Sequence, residues 1–149
     1  MRRDLALLLG VLVLLAVYGR GSVLRADSGD PSLATDEAAI YALVFTRFSS
    51  DRGRMPVFVS VNGGDPSREI LQRLNEVHPV RPVSECLAAD SSLVQDSRSG
   101  AWGVLWTMGP IEWRGAHRAT TRAGYHSGHA LTYFLYRTRD EWRVEGIQR

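Results

Sequence analysis

The most conspicuous pattern in the chain is an uninterrupted apolar run near its start. Leu5 to Gly19 (LALLLGVLVLLAVYG) carries no charge, Arg2 and Arg3 precede it, and Arg20 follows it. As a helix at ~1.5 Å per residue this run spans about 22 Å, short of the hydrocarbon core of about 30 Å. A positive start with a short apolar centre is the layout of a secretory signal. Val17-Tyr18-Gly19 and Leu24-Arg25-Ala26 offer cleavage points, neither a full Ala-x-Ala. The alternative is an uncleaved short anchor with its N-terminus in the cytoplasm, as Arg2 and Arg3 favour. No Cys stands directly after the run, which argues against a lipid-anchored protein.

Residues 1–26 are therefore expected to be a signal peptide or short membrane anchor, 27–34 a Ser-, Asp- and Pro-bearing linker, and 35–149 a single domain. Thr35 reads as a helix cap, with Asp36 and Glu37 suited to the positive helix end. Ile40, Tyr41, Leu43, Val44, Phe45 and Phe48 then leave little polar surface, so this helix needs cover on more than one side. Val57 to Val61 is a β-branched run closed by the turn signal Asn62-Gly63-Gly64. Asp65 reads as the cap of a second helix with Pro66 at its first position, and Ile70, Leu71, Leu74 and Val77 form a one-sided stripe. His78 to Ser99, with two prolines and several Ser and Asp, reads as irregular.

Beyond Gly103 the period shortens to two. Val104–Met108, Ile111–Trp113, His117–Ala123, Ala130–Arg137 and Trp142–Glu145 read as strands parted by Gly109-Pro110 and short turns. Strands joined this closely make an antiparallel meander. The expected fold class is α+β: N-terminal helices packed on a curved antiparallel sheet, cone-like, preceded by the signal or anchor helix.

Several stretches carry a resemblance. They are Val80-Arg81-Pro82-Val83-Ser84-Glu85-Cys86, Ile111-Glu112-Trp113, Gly124-Tyr125-His126-Ser127-Gly128 and Glu141-Trp142-Arg143-Val144. With a buried N-terminal helix and a late meander closing on Trp-Arg-Val, residues 35–149 resemble the nuclear-transport-factor-2-like (cystatin-like) fold. More narrowly they are similar to a group of exported bacterial proteins of that fold. The resemblance implies a fold and an exported location but no reaction, because this fold hosts enzymes, binding modules and assembly domains.

Composition narrows the chemistry. The chain has 149 residues, 44% hydrophobic and 23% charged, which suits one ordinary globular domain. All 18 basic residues are Arg, so Lys-dependent phosphate loops, Schiff bases and Ser–Lys dyads are excluded. Beyond residue 26, 14 Arg face 15 acids spread along the chain, with no clustered basic face for nucleic acid. Cys86 is the only cysteine, so no intramolecular disulfide forms. It reads as a small hydrophobe, and a reactive thiol would need a neighbouring base or cation.

The densest polar cluster is Tyr125-His126-Ser127-Gly128-His129, with His117 nearby. A hydrolase would need Ser127 activated by His126 or His129, yet adjacent residues of an extended chain point to opposite faces. A metal site would need His126 and His129 to converge with Cys86 or His117. A polar turn facing water is the plainer reading, and neither metal nor cofactor is expected. Val57–Val61 followed by Gly63-Gly64 looks like a phosphate cradle, but Asp65 would repel the phosphate at the helix start. Trp106, Trp113, Tyr125 and Tyr133 belong to a sheet core whose concave side could leave an apolar pocket that they would line.

These readings point to an extracytoplasmic domain, periplasmic or secreted, or held at the inner membrane by residues 5–19. Its expected role is non-catalytic binding of a small apolar ligand or an envelope protein partner, with a homodimer among the arrangements considered. The alternative is a lyase or isomerase of the same fold using His126 or His129 as base, which requires a buried histidine beside the aromatics.

Overall fold

A computed structural model describes residues 31–48, 55–87, 93–126, 128–139 and 141–149. The expected signal or anchor lies outside these residues. No helix among the described residues is long and apolar enough to cross a membrane.

The first helix, α1 (Pro31–Thr46), begins inside the expected linker rather than at Thr35. Proline at the first turn loses no helical hydrogen bond, because that N–H has no intrahelical acceptor. Thr35 is consequently inside the helix, where its hydroxyl donates to Glu69 Oε1 at 3.3 Å. Ile40, Tyr41, Val44 and Phe45 are all fully buried, as an all-round apolar helix requires.

Strand β1 (Val57–Val61) ends in a turn with Asn62 and Gly63 at positive φ, the geometry that the Asn-Gly pair predicts. Helix α2 (Arg68–Val77) is capped by Ser67, whose side chain accepts from Ile70 N, and not by Asp65. Asp65 Oδ1 accepts instead from Ser84 N at 2.9 Å, tying the helix entry to the segment after it. Ile70 and Leu74 bury the predicted stripe of α2 against α1 and the sheet.

The segment expected to be irregular holds short ordered pieces: β2 (Arg81–Pro82), a 3₁₀ turn (Val83–Glu85), β3 (Cys86–Leu87) and β4 (Leu93–Asp96). Then follow β5 (Trp102–Met108), β6 (Glu112–Trp113), β7 (Arg118–Tyr125), β8 (Leu131–Thr138) and β9 (Glu141–Gln148). Among the described residues these nine strands form one sheet with the main path β2-β1-β5-β7-β8-β9.

The predicted meander is present, since β5, β7, β8 and β9 pair antiparallel in turn. The sheet as a whole is mixed, which corrects the expectation of an antiparallel one. β1 runs parallel to β5, Val57 opposite Val104 and Val61 opposite Met108, and parallel to β2. The cause is α2, a helical crossover that returns the chain in its original direction. β5 is flanked by β1 on one edge and, on the other, by β4 along its first half and β7 along its second.

Register separates the two faces. Val57, Val59, Val61, Val104, Trp106, Met108, Ala119, Ala123, Tyr133 and Leu135 face the helices and form the main core. Phe48 stacks on Trp106 with ring centroids 4.0 Å apart, and Tyr125 meets Trp106 edge-on at 5.3 Å. On the other face Phe58, Val94 and Leu105 make a smaller core beneath the 3₁₀ turn, with Val83 and Cys86 packed on it.

Candidate functional site

The four aromatic residues expected to line a pocket lie in different surroundings. Trp106 (4% exposed) and Tyr133 (2% exposed) are core residues. Burial holds the Tyr133 phenol above its ordinary range. Tyr125 is half-buried against Phe48 and Trp106, and Trp113 lies exposed with its ring edge-on to Trp142 at 5.7 Å. α1 fills the helix-facing side, so the space that a pocket would need is occupied by side chains.

An open cleft of about 890 Å³ lies largely on the opposite face, over the second half of β5 and the middle of β7 and β8. None of those four aromatics lines it. Thr107, Thr120, Arg122, Thr132 and Phe134 come from alternate positions of three strands, with Arg122 opposite Thr132 and Thr120 opposite Phe134. Glu112 and Arg114 form one wall, and Asn62, Gly109 and Pro110 close one end. Strand periodicity creates this set: successive side chains alternate faces, so Trp106 inside means Thr107 outside. The segments Trp106-Thr107-Met108 and Thr120-Thr121-Arg122-Ala123 held that signal, but threonine reads as a strand former and exposed arginine as solvated surface.

The cleft's hydroxyls are mostly committed. Thr107 Oγ1 donates to Gly124 O at 3.1 Å, Thr121 Oγ1 to Gly109 O at 3.0 Å, and Thr120 Oγ1 to Glu112 Oε2 at 3.3 Å. Gly124 must be glycine, because a Cβ there would sit 2.9 Å from Ala130 Cα. Glu112 is also 3.8 Å from Arg114 Nη2. At the end of the cleft Gly109 O accepts a second hydrogen bond, 2.9 Å, from Tyr41 Oη of α1. Burial, with the Glu37 charge adding to it, keeps that phenol protonated well beyond the ordinary range.

The histidines stand apart. His126 and His129 are exposed on the β7–β8 turn, where Gly128 N donates to Tyr125 O, and His117 is exposed before β7. Neither His126 nor His129 is a lining residue of the cleft, although His129 precedes the lining residue Ala130. Ser127 lies outside the described residues. No group of three or more His, Cys, Asp or Glu placed to hold a metal occurs among the described residues.

The second polar cluster is structural. Arg81 Nε donates to Glu85 Oε2 at 2.6 Å, and its Nη1 to Asp96 Oδ2. Arg81 beside it, then the Arg98 N–H and the Ser99 hydroxyl, hold the Asp96 carboxyl far below the usual carboxylate range. The guanidinium lies over the Phe58 ring, 5.2 Å from its centroid, so this network clamps the β3–β4 arm onto the smaller core. Cys86 packs there with its thiol donating to Val83 O, and burial raises its pKa despite nearby Arg81. A thiol kept protonated is a poor nucleophile.

No family model, curated protein or solved structure matches the chain.

Proposed function

We propose that this chain is a non-catalytic, extracytoplasmic binding domain that takes a small, largely apolar ligand in the cleft on the helix-free face. One observation carries the reading. A cleft of about 890 Å³ is built from Thr107, Thr120, Arg122, Thr132 and Phe134 on rigid strands. That volume lies within the ~300–1,000 Å³ of small-molecule sites, and an apolar floor with a few polar groups is their usual lining. The polar groups are threonines, Asn62, two arginines and one exposed glutamate, with no histidine in the lining. The lyase or isomerase alternative needs a sheltered histidine base, and exposed His126 and His129 lend it no support.

The extracytoplasmic address belongs to the same proposal and rests on the apolar run Leu5 to Gly19 behind Arg2 and Arg3. The likeness to the nuclear-transport-factor-2-like fold stays a proposal too, supported by the order of helix, strand, helix and meander.

Native mass spectrometry of protein recovered from cells expressing the full chain tests both parts. The expected result is an envelope fraction carrying a bound small molecule, absent from the cleft-filling variant Thr132→Trp. Recovery of the intact chain from the cytosol overturns the address. Failure to retain or take up any small molecule from an envelope extract overturns the binding role.

A further inference from the structure

Among the groups lining the cleft, the donors still free to meet a ligand are few. Three of its threonine hydroxyls already donate to protein acceptors: Thr107 to Gly124 O, Thr121 to Gly109 O and Thr120 to Glu112. Arg114 is paired with Glu112. Apart from Asn62 at one end of the cleft, that leaves Arg122 and Thr132. Arg122 forms no ion pair among the described residues, and its own carbonyl is taken by Gly109 N. Thr132 is its direct partner across β7 and β8, and its hydroxyl has no protein acceptor among the described residues. Side chains directly opposite on one sheet face stand about 4.5–5.5 Å apart at Cβ, close enough to hold one small group between them.

The apolar part of the cleft adjoins this pair. Phe134 lies two residues beyond Thr132 on the same face, a separation of roughly 7 Å. The residue opposite Phe134 on β9 is Gly146, around which a Cβ would find open space, so no side chain covers the ring from that side. Pro110 continues the apolar lining toward β6.

We infer that the ligand is an amphiphilic monoanion, its carboxylate or sulfonate held by Arg122 and Thr132 and its apolar body lying on Phe134 and Pro110. This rests on the proposed binding role and adds the charge and polarity of the ligand. Electrostatics agree, since the lining carries two arginines against one glutamate. A guanidinium hydrogen bond to an anion is roughly twice as strong as a neutral one.

Two dyes of nearly the same shape separate the claims. 8-Anilinonaphthalene-1-sulfonate carries the anion, and N-phenyl-1-naphthylamine lacks it. Fluorescence titration of protein recovered from cells expressing the full chain is expected to show the sulfonate binding about tenfold more tightly. Arg122→Gln abolishes that preference, about tenfold in Kd, and leaves the neutral dye within about twofold. Arg122→Lys restores part of it, and Phe134→Ala weakens both dyes. Decanoate is expected to displace the sulfonate dye where decanol and inorganic sulfate do not. Equal binding of the two dyes, or an unchanged preference in Arg122→Gln, overturns the anion seat while the binding role stands. Displacement by inorganic sulfate as effective as by decanoate overturns the amphiphile. Binding of neither dye overturns the binding role itself.

Discussion

The two faces of one sheet have opposite economies. Toward the helices, Trp106, Met108, Tyr133 and Leu135 are sealed in the main core. Away from them, strand neighbours one residue along, Thr107, Thr132 and Phe134, stand over an open cleft. The packing that stabilises the domain thereby closes off Trp106 and Tyr133. Aromatic content alone is thus a poor guide to a binding site; the position of the covering layer decides which face is available.

That contrast can be broken by substitution. Phe45→Ala on the sealed face should cost about 3–5 kcal/mol in urea denaturation, because a fully buried ring leaves a cavity in the main core. Gly103→Ala should cost about 1–3 kcal/mol, read in the same way, since its Cβ would meet Pro56 O at 2.6 Å and the Phe58 ring at 2.9 Å.

Asp96 adds a pH signature. Its carboxyl is depressed in the folded state by Arg81, so its stabilisation is complete above the unfolded carboxylate pKa of about 3.9. That stabilisation is lost as pH falls below about 4 toward the depressed folded value. Asp96→Asn should therefore be less stable at neutral pH and show a shallower acid decline in thermal melts from pH 7 to pH 2.

Two milder changes sharpen the contrast. Tyr41→Phe should cost about 1 kcal/mol, measured by urea, because Gly109 O keeps its bond from Thr121. On the open face Arg122→Gln should shift stability by less than about 0.5 kcal/mol in the same assay. A larger loss there would make Arg122 part of the framework rather than of the cleft.

Much of the architecture is legible in the amino-acid sequence. The apolar wrap of α1, the stripe of α2 and the period-two strands of the meander are local patterns, and each formed where its pattern lay. α1 extends ahead of Thr35 because a Ser-, Asp- and Pro-bearing stretch reads as a linker, although the missing N–H of Pro31 suits a first turn. The mixed sheet was missed because Arg81-Pro82 is too short to announce a strand, and the direction of pairing leaves no local mark. Of the site, the residue pattern was present but its meaning depended on the helices. Until α1 and α2 choose a face, Trp106 and Thr107 are equal candidates for an open surface.

The parallel pairing of β1 with β5 sets an order of assembly. During synthesis Val57–Val61 leaves the ribosome well before Trp102–Met108 exists to receive it. The β7–β8 and β8–β9 pairs, by contrast, close over short turns, and local contacts form fastest. The β5-facing edge of β1 must therefore wait, unpaired, until the last third of the polypeptide supplies its template. A chaperone that shields Val57–Val61 in the nascent chain would raise the yield of soluble protein more than one acting on the C-terminal hairpins.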